Sequence, residues 1–129
     1  MQDTIAATAT APGRAGVAIV RVSGPDAFAV LKRLAGIEPE HGRARLARLR
    51  NAAGDILDEA ICLAFASPKS YTGEDVVEFH CHGGTVVPRR VLEACFAVGA
   101  RLARRGEFTE RAYLSGKIDY EVRRPSSTS

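Results

Sequence analysis

The spacing of hydrophobic residues along the chain predicts its order of strands and helices. Apolar residues recur at every second position in segments such as 17–22, VAIVRV, which is typical of a strand. Between 85 and 97 the residues Val87, Val91 and Cys95 recur with the spacing of a helical face. The predicted order is β, β, α, β, β, β, α, β, α, over residues 4–10, 17–22, 25–35, 43–50, 57–65, 76–82, 85–97, 101–103 and 107–114.

Two of these segments are less regular than the others. Residues 43–50, RARLARLR, fit a strand or one turn of a helix, and the turn-like sequence at 51–55 favours the strand. In segment 57–65 apolar side chains occupy both alternating sets of positions, so we expect both faces of this strand to be covered. Together the elements predict an α+β fold with a mixed β-sheet and about three helices.

Composition and charge narrow the class of protein. A chain of 129 residues can bury the core of one domain, and no run reaches the ~18 apolar residues of a membrane span. Met1-Gln2-Asp3 leads directly into a strand-like segment, so we expect no secretory leader. Three cysteines without a CxxC spacing favour reduced thiols in the cytoplasm. The net charge is +3, and we expect the arginine clusters at 43–50 and 101–105 to be solvated or to contact a weak anionic partner such as RNA.

The stretch 70–84, SYTGEDVVEFHCHGG, carries the candidate site. Its strand contains a carboxylate, Glu78, among apolar residues, and burying an unpaired charge is costly. Two imidazoles and a thiol follow it, at His80, Cys81 and His82, and a zinc site is one interpretation of them. In a strand the two histidines share a face while the thiol points away, and the other cysteines lie in apolar segments. The sequence therefore argues against zinc.

Four longer segments occur in a fixed order. They are 11–24 (APGRAGVAIVRVSG), 70–79 (SYTGEDVVEF), 80–84 (HCHGG) and 106–119 (GEFTERAYLSGKID). Together they resemble the N-terminal domain of the MnmE (TrmE) family of bacterial tRNA-modification GTPases. The resemblance implies a small α+β fold like the folate-binding lobe of glycine-cleavage aminomethyltransferases. It also implies one folate-binding and dimerisation domain over residues 1–119, and we expect the polar residues 120–129 to form a disordered tail.

The resemblance implies a function for a longer parent protein. In that family the domain binds 5-formyl- or 5,10-methylene-tetrahydrofolate and forms a homodimer. The full enzyme works with the flavoprotein MnmG (GidA) to add an aminomethyl or carboxymethylaminomethyl group to C5 of the wobble uridine of tRNA. This chain has no GxxxxGK[ST] motif, so GTP, magnesium and potassium are expected to bind only in a further domain of the parent. We expect this chain to be a non-catalytic fragment that contacts tRNA indirectly, in the cytoplasm and away from membranes.

Three ionisable residues at the family's motif positions are the folate contacts that the resemblance implies: Arg21, Glu78 and Lys117. A reduced pterin presents a ring N–H beside an exocyclic amine, and one carboxylate can accept both hydrogen bonds. Glu78 is therefore the predicted partner of the ring. The anionic glutamate tail of folate requires cations, and Arg21 and Lys117 are the candidates to supply them. The resemblance implies the three residues as contacts, and their division between ring and tail is a hypothesis.

Nearby residues extend this hypothesis. Residues 71–73 are predicted to form either a flexible wall of the pocket or a plain surface loop. Glu107, Glu110 and Arg111 are expected to be charges at a helix end, with Arg111 also able to pair with Glu78 or with a phosphate. The alternatives for the whole chain are a pure homodimerisation module without a ligand and a free-standing aminomethyltransferase-like enzyme, for which 129 residues are few.

Overall fold

The computed structural model of the chain describes residues 3–9 and 16–116, and it confirms the predicted α+β fold with a mixed sheet and three helices. The order of elements along the chain is the predicted one, and segment 43–50 contributes a strand rather than a helix turn. The elements are β1 (Ile5–Thr8), β2 (Val17–Ser23), α1 (Ala27–Ala35), β3 (Arg45–Arg50), β4 (Ile56–Phe65), β5 (Val76–His82), α2 (Val86–Ala97), β6 (Arg101–Leu102) and α3 (Glu107–Leu114).

The six strands form one sheet in the order β3-β4-β5-β2-β1-β6. All neighbours are antiparallel except β1 and β6, which pair in parallel. Helix α1 connects β2 near the centre of the sheet to β3 at one edge, and α2 connects β5 to β6 at the other edge. Because β5 and β6 both run parallel to β1, α2 is a crossover between parallel strands, which a tight hairpin cannot join.

The hydrophobic core lies between one face of the sheet and the helices α1 and α2. Val20 and Cys62 both stand opposite Phe79 in the strand register, so the three side chains share this face. Helix α1 contributes Val30 and Leu31, which are fully or almost fully buried. The remaining core side chains come mainly from α2 and from the same face of the strands, including Val22, Ala60, Ala64, Val77, Val91 and Cys95.

One expectation for β4 is wrong. Both faces were expected to be covered, and Ala60, Cys62 and Ala64 on one face are buried. On the other face, Ile61 is 44% exposed, and Leu63 and Phe65 are only partly covered. Both long helices pack on the same face of the sheet, so the other face stays open along much of β4 and β5. The apolar side chains on this face of β4 are therefore not buried within the chain, although their type suggested that they would be.

The helix ends agree with the sequence pattern in part. Gly36 follows α1 in a left-handed conformation, with φ of 68°, and its N–H bonds to the carbonyl of Lys32. Thr85 precedes α2 as predicted, although its side chain makes no capping hydrogen bond. Across residues 3–9 and 16–116, no helix combines the length and apolar character that a membrane span requires.

Candidate functional site

Arg21 and Glu78 form an ion pair on the open face of the sheet. They stand directly opposite each other on β2 and β5, because the alternation that buries Val20 and Phe79 turns their own side chains the other way. Arg21 Nε lies 3.0 Å from Glu78 Oε2, and the side chains are 25% and 15% exposed. The sequence therefore places an opposed charge pair in the middle of the sheet, mostly covered but not fully buried.

The second oxygen of Glu78 is also engaged. Oε1 lies 2.9 Å from Nε2 of His80, which is two residues further along β5 and on the same face. His82 pairs instead with Asp58, whose two oxygens contact its Nδ1 and its backbone N–H at 2.8 Å each. Within the described residues no group of three or more His, Cys, Asp or Glu is arranged to hold a metal ion. The two histidines thus belong to two separate carboxylate pairs.

Two aromatic rings flank the guanidinium of Arg21. Its central carbon lies 5.7 Å from the ring centroid of Tyr71 and 5.7 Å from that of Phe108. A cation over the face of an aromatic ring is attracted by the ring quadrupole. The hydroxyl of Tyr71 also lies 3.1 Å from Oγ1 of Thr109, which connects the loop before β5 to α3. Arg21 is therefore held by a carboxylate and by two rings from different parts of the chain.

The loop that carries Tyr71 is anchored to the sheet. Thr72 is fully buried, and its hydroxyl lies 2.7 Å from the hydroxyl of Ser23 at the end of β2. Ser23 also donates a hydrogen bond of 2.7 Å to Oε1 of Glu74. Residues 71–73 are thus not a plain surface loop, because one of them is an interior polar contact.

Helix α3 is fixed by an ionic cluster, of which the sequence predicted only that its members are charges at a helix end. Glu107 and Arg111 do lie in the first and last turns of α3, and they are 2% and 4% exposed. Arg111 contacts Glu74 at 3.0 Å, Asp3 at 2.8 Å and Glu107 at 3.3 Å, and it does not pair with Glu78. Burial of Arg111 is tolerated because each carboxylate accepts hydrogen bonds from it.

The cluster lowers the pKa of two carboxyl groups. Glu107 accepts hydrogen bonds from Arg101 and Arg104, and the Arg101 guanidinium is the main cause that lowers the Glu107 pKa to about 2, against the opposing effect of burial. Arg101 likewise lowers the pKa of Asp3 to about 2, with a further contribution from Arg111. Both acids are therefore charged over the physiological pH range.

The structure brings together two of the three predicted site residues. Arg21 and Glu78 are in direct contact, whereas Lys117 lies outside the described residues. Sequence reasoning did not assign Phe108 or His80 to this cluster. For His80 the sequence did contain a signal: it lies two residues after Glu78 in a strand, and that spacing places both side chains on one face.

An apolar row continues from this site across the open face. Leu46, Ile61, His80 and Ile19 stand side by side on four adjacent strands. Leu46 is 64% exposed and Val17, beside this row, is 54% exposed. Val17, Leu46, Ile61 and the two histidines line a hollow of about 260 Å³. The open face thus combines a charged site with adjoining exposed apolar surface.

Fold and site together define a class of protein: a small α+β domain with an ion pair on the open face of its sheet. Comparison with known proteins identifies the family within this class. The model of a family described as GTP-binding protein TrmE N-terminus matches residues 4–117, and the chain belongs to that family.

Curated relatives agree with this membership. The tRNA modification GTPase MnmE of Phenylobacterium zucineum is 55% identical over 119 residues, which are 92% of this chain and 27% of that protein. The protein of the same name from Alkalilimnicola ehrlichii is 55% identical over 118 residues, with the same coverage. That from Azoarcus sp. is 53% identical over 117 residues, covering 91% of this chain and 26% of the relative. The chain thus spans about a quarter of the length of these relatives.

Proposed function

We propose that this domain binds a reduced folate and forms a homodimer as part of a tRNA-modification GTPase. The ligand is 5-formyl- or 5,10-methylene-tetrahydrofolate. The parent protein acts with MnmG to modify C5 of the wobble uridine of tRNA, and it binds GTP, magnesium and potassium in a domain that this chain does not contain. The observation that carries the folate assignment is the mostly covered Arg21–Glu78 pair on the open sheet face, with two aromatic rings beside the guanidinium of Arg21.

The chemistry of Glu78 supports a pterin contact. A carboxylate has about four positions at which it accepts hydrogen bonds, and Arg21 and His80 occupy one on each oxygen. The remaining positions suit the adjacent N–H groups of a pterin, which donate in parallel. The rings of Tyr71 and Phe108 already flank a planar cation, and a planar pterin would gain from the same kind of stacking. Nε of Arg21 is bonded to Glu78, so its two Nη groups are proposed to contact the anionic end of the ligand, with Lys117 assisting.

Calorimetry with 5-formyltetrahydrofolate tests this assignment. We expect the chain to bind the ligand and Glu78→Gln to weaken binding by about tenfold to a hundredfold, which corresponds to one lost charge-assisted hydrogen-bond pair. Glu93→Gln is the matched control, because Glu93 is an exposed acid on α2 and has no ion pair with a described residue. Equal binding by the wild type and Glu78→Gln, or no binding by the wild type, would overturn the folate assignment.

The exposed apolar row supports homodimerisation. Leu46, Ile61 and Val17 lie on the open face beside the charged site, and apolar patches of this kind mark surfaces that another protein covers. A second copy that covers this hollow would also enclose the Arg21–Glu78 pair and exclude water from it. A pure dimerisation module without a ligand is the alternative that the same row supports.

Sedimentation of the chain separates these possibilities. We expect the wild type to be dimeric and Ile61→Asp to be monomeric at the same concentration. Ile56→Asp is the control, since Ile56 lies on the same strand, is 50% exposed and does not line the hollow. A wild type that remains monomeric contradicts the dimer proposal. A dimer without any binding heat from folate favours the pure dimerisation module.

A further inference from the structure

Half of the arginines in residues 3–9 and 16–116 make no ion pair with another described residue. Arg21, Arg43, Arg45, Arg101, Arg104 and Arg111 are paired with carboxylates. The unpaired arginines are Arg33, Arg48, Arg50, Arg89, Arg90 and Arg105. Three of the unpaired set, Arg33, Arg50 and Arg90, line one surface that shares no residue with the candidate folate site.

This surface is a groove at the ends of the two long helices. Two hollows of about 330 Å³ and about 160 Å³ share four lining residues, so they form one continuous depression, here named the helix-end groove. Arg90 lines the larger hollow, whereas Arg33 and Arg50 line the smaller one. The shared residues are Asn51, Ala52, Ala94 and Ala97.

Three different elements deliver the arginines to this groove. Arg33 lies in the last turn of α1, Arg50 is the last residue of β3, and Arg90 lies in α2. Arg90, Ala94 and Ala97 share one face of α2 because they are spaced by four and three residues, and the two small side chains leave the groove open. The position of each cation is thus set by ordinary secondary structure.

The wall that the β3–β4 turn contributes is well ordered by its own hydrogen bonds. Oδ1 of Asn51 accepts the backbone N–H of Ala53 at 3.0 Å and that of Asp55 at 2.9 Å. Arg50 donates one hydrogen bond of 3.3 Å to the carbonyl of Gly54, which leaves its other N–H groups available. The groove therefore presents guanidinium groups from a framework that is already formed.

The charge of the groove suits an anion. Arg33 alone would be explained by the helix dipole, which favours a cation at the end of α1. That dipole explains neither Arg50 nor Arg90. Glu93 is the one acidic residue among the described residues that line the groove, and it is exposed and has no ion pair with them. Guanidinium groups bind phosphate through parallel N–H bonds, so three of them along one groove match a chain of phosphates.

We propose that the helix-end groove binds the phosphate backbone of RNA. This inference rests on the proposed role in tRNA modification, and it adds a direct contact between this domain and the nucleic acid. The described lining residues include no aromatic side chain on which a base could stack, so the contact would position the RNA rather than read its sequence.

Fluorescence anisotropy with a labelled RNA hairpin over a series of salt concentrations tests the proposal. Each phosphate contact contributes about −0.9 to the slope of log affinity against log salt for a duplex. We expect Arg33→Gln/Arg90→Gln to weaken binding by about tenfold or more and to reduce the steepness of that slope by about 2. The control is Arg48→Gln/Arg105→Gln, which removes the same charge from unpaired arginines outside the groove and should leave the slope unchanged.

Two further measurements, with dextran sulfate and with folate, separate the possible outcomes. Equal losses in the two double variants would show that net charge alone drives binding, and they would overturn the proposal, as would the absence of RNA binding by the wild type. Dextran sulfate that binds with the same dependence on Arg33 and Arg90 would overturn the assignment to RNA. Folate heat measured on the same samples keeps the two hypotheses apart, because a groove variant that loses RNA and retains folate supports the groove alone.

Discussion

Arg111 and Glu107 form an ion pair in the interior of the protein. One turn of α3 separates them, and Nη2 of the arginine lies 3.3 Å from Oε2 of the glutamate. The same guanidinium reaches Glu74 in the loop before β5 and both the carbonyl and the carboxylate of Asp3 before β1. One side chain therefore connects three segments that are distant in sequence and holds α3 beside the candidate folate site.

Removing this arginine should strongly destabilise the domain. Arg111→Met keeps much of the side-chain volume but removes the arginine partner of Glu74, whereas Glu107 keeps Arg101 and Arg104. A largely buried acceptor that loses its partner costs about 1–3 kcal/mol. We expect urea unfolding to show a loss of that size. The control is Arg105→Met, because Arg105 is exposed and unpaired among the described residues, and it should change stability by less than about 0.5 kcal/mol. Similar stabilities for the two variants would contradict this role for Arg111.

The depressed pKa of Glu107 predicts the acid limb of the stability curve. In the folded protein this pKa lies at about 2, below its ordinary value of 4.5. A lowered folded-state pKa gives stability that is fully present above the ordinary value and is lost as the pH falls toward the folded value. We therefore expect the free energy of unfolding to decrease between about pH 4.5 and about pH 2, with Asp3 contributing at the lower end of that window.

Glu107→Gln should flatten this dependence, because the amide has no proton to gain over that range. Urea titrations at a series of acidic pH values measure the slope directly. Glu110→Gln is the comparison, since the half-exposed Glu110 side chain pairs with the exposed Arg104. If Glu110→Gln and Glu107→Gln flattened the curve equally, the buried cluster would not be the source of the acid sensitivity.

The order of elements could be predicted from sequence because it depends on local spacing. Alternation in 17–22 and helical spacing in 85–97 are properties of neighbouring residues, and both segments form the expected elements. The exposure of Ile61 could not be predicted in this way. It depends on both long helices packing on one face of the sheet, which is a property of the whole topology rather than of β4.

The candidate site could be predicted only in part for the same reason. A charge within an apolar strand drew attention to Arg21 and Glu78, and the strand register places them opposite each other. The partners of Arg111 are 37 and 108 residues away along the chain, at Glu74 and Asp3. No periodicity connects positions so distant, so the cluster could be found only from the folded structure.

Gly24 should tolerate no side chain, because an added Cβ would clash with nearby backbone. A second glycine with positive φ but no such clash serves as the comparison. The φ of Gly24 is +138°, and an added Cβ would lie 2.6 Å from Cα of Thr4 and 2.8 Å from the carbonyl oxygen of Asp3. Gly99 has φ of +117° but open space around its Cβ position. Both substitutions by alanine incur backbone strain of about 1–3 kcal/mol, and Gly24→Ala should cost about 1–3 kcal/mol more because the backbone at Asp3 and Thr4, just before β1, must move. Equal losses in denaturant unfolding would show that this segment can shift freely.

The three cysteines should be unreactive as long as the protein is folded. Cys62, Cys81 and Cys95 are all buried, and burial raises the pKa of their thiols to about 11, about 11 and about 12. Only the thiolate reacts, so at pH 8 a shift from 9.0 to about 11 lowers the reactive fraction about 100-fold. We expect a chromogenic disulfide reagent to label none of them in buffer and all three in concentrated urea. A thiol that reacts rapidly in buffer would indicate local opening of the sheet or of α2, and Cys→Ser variants would identify which element opens.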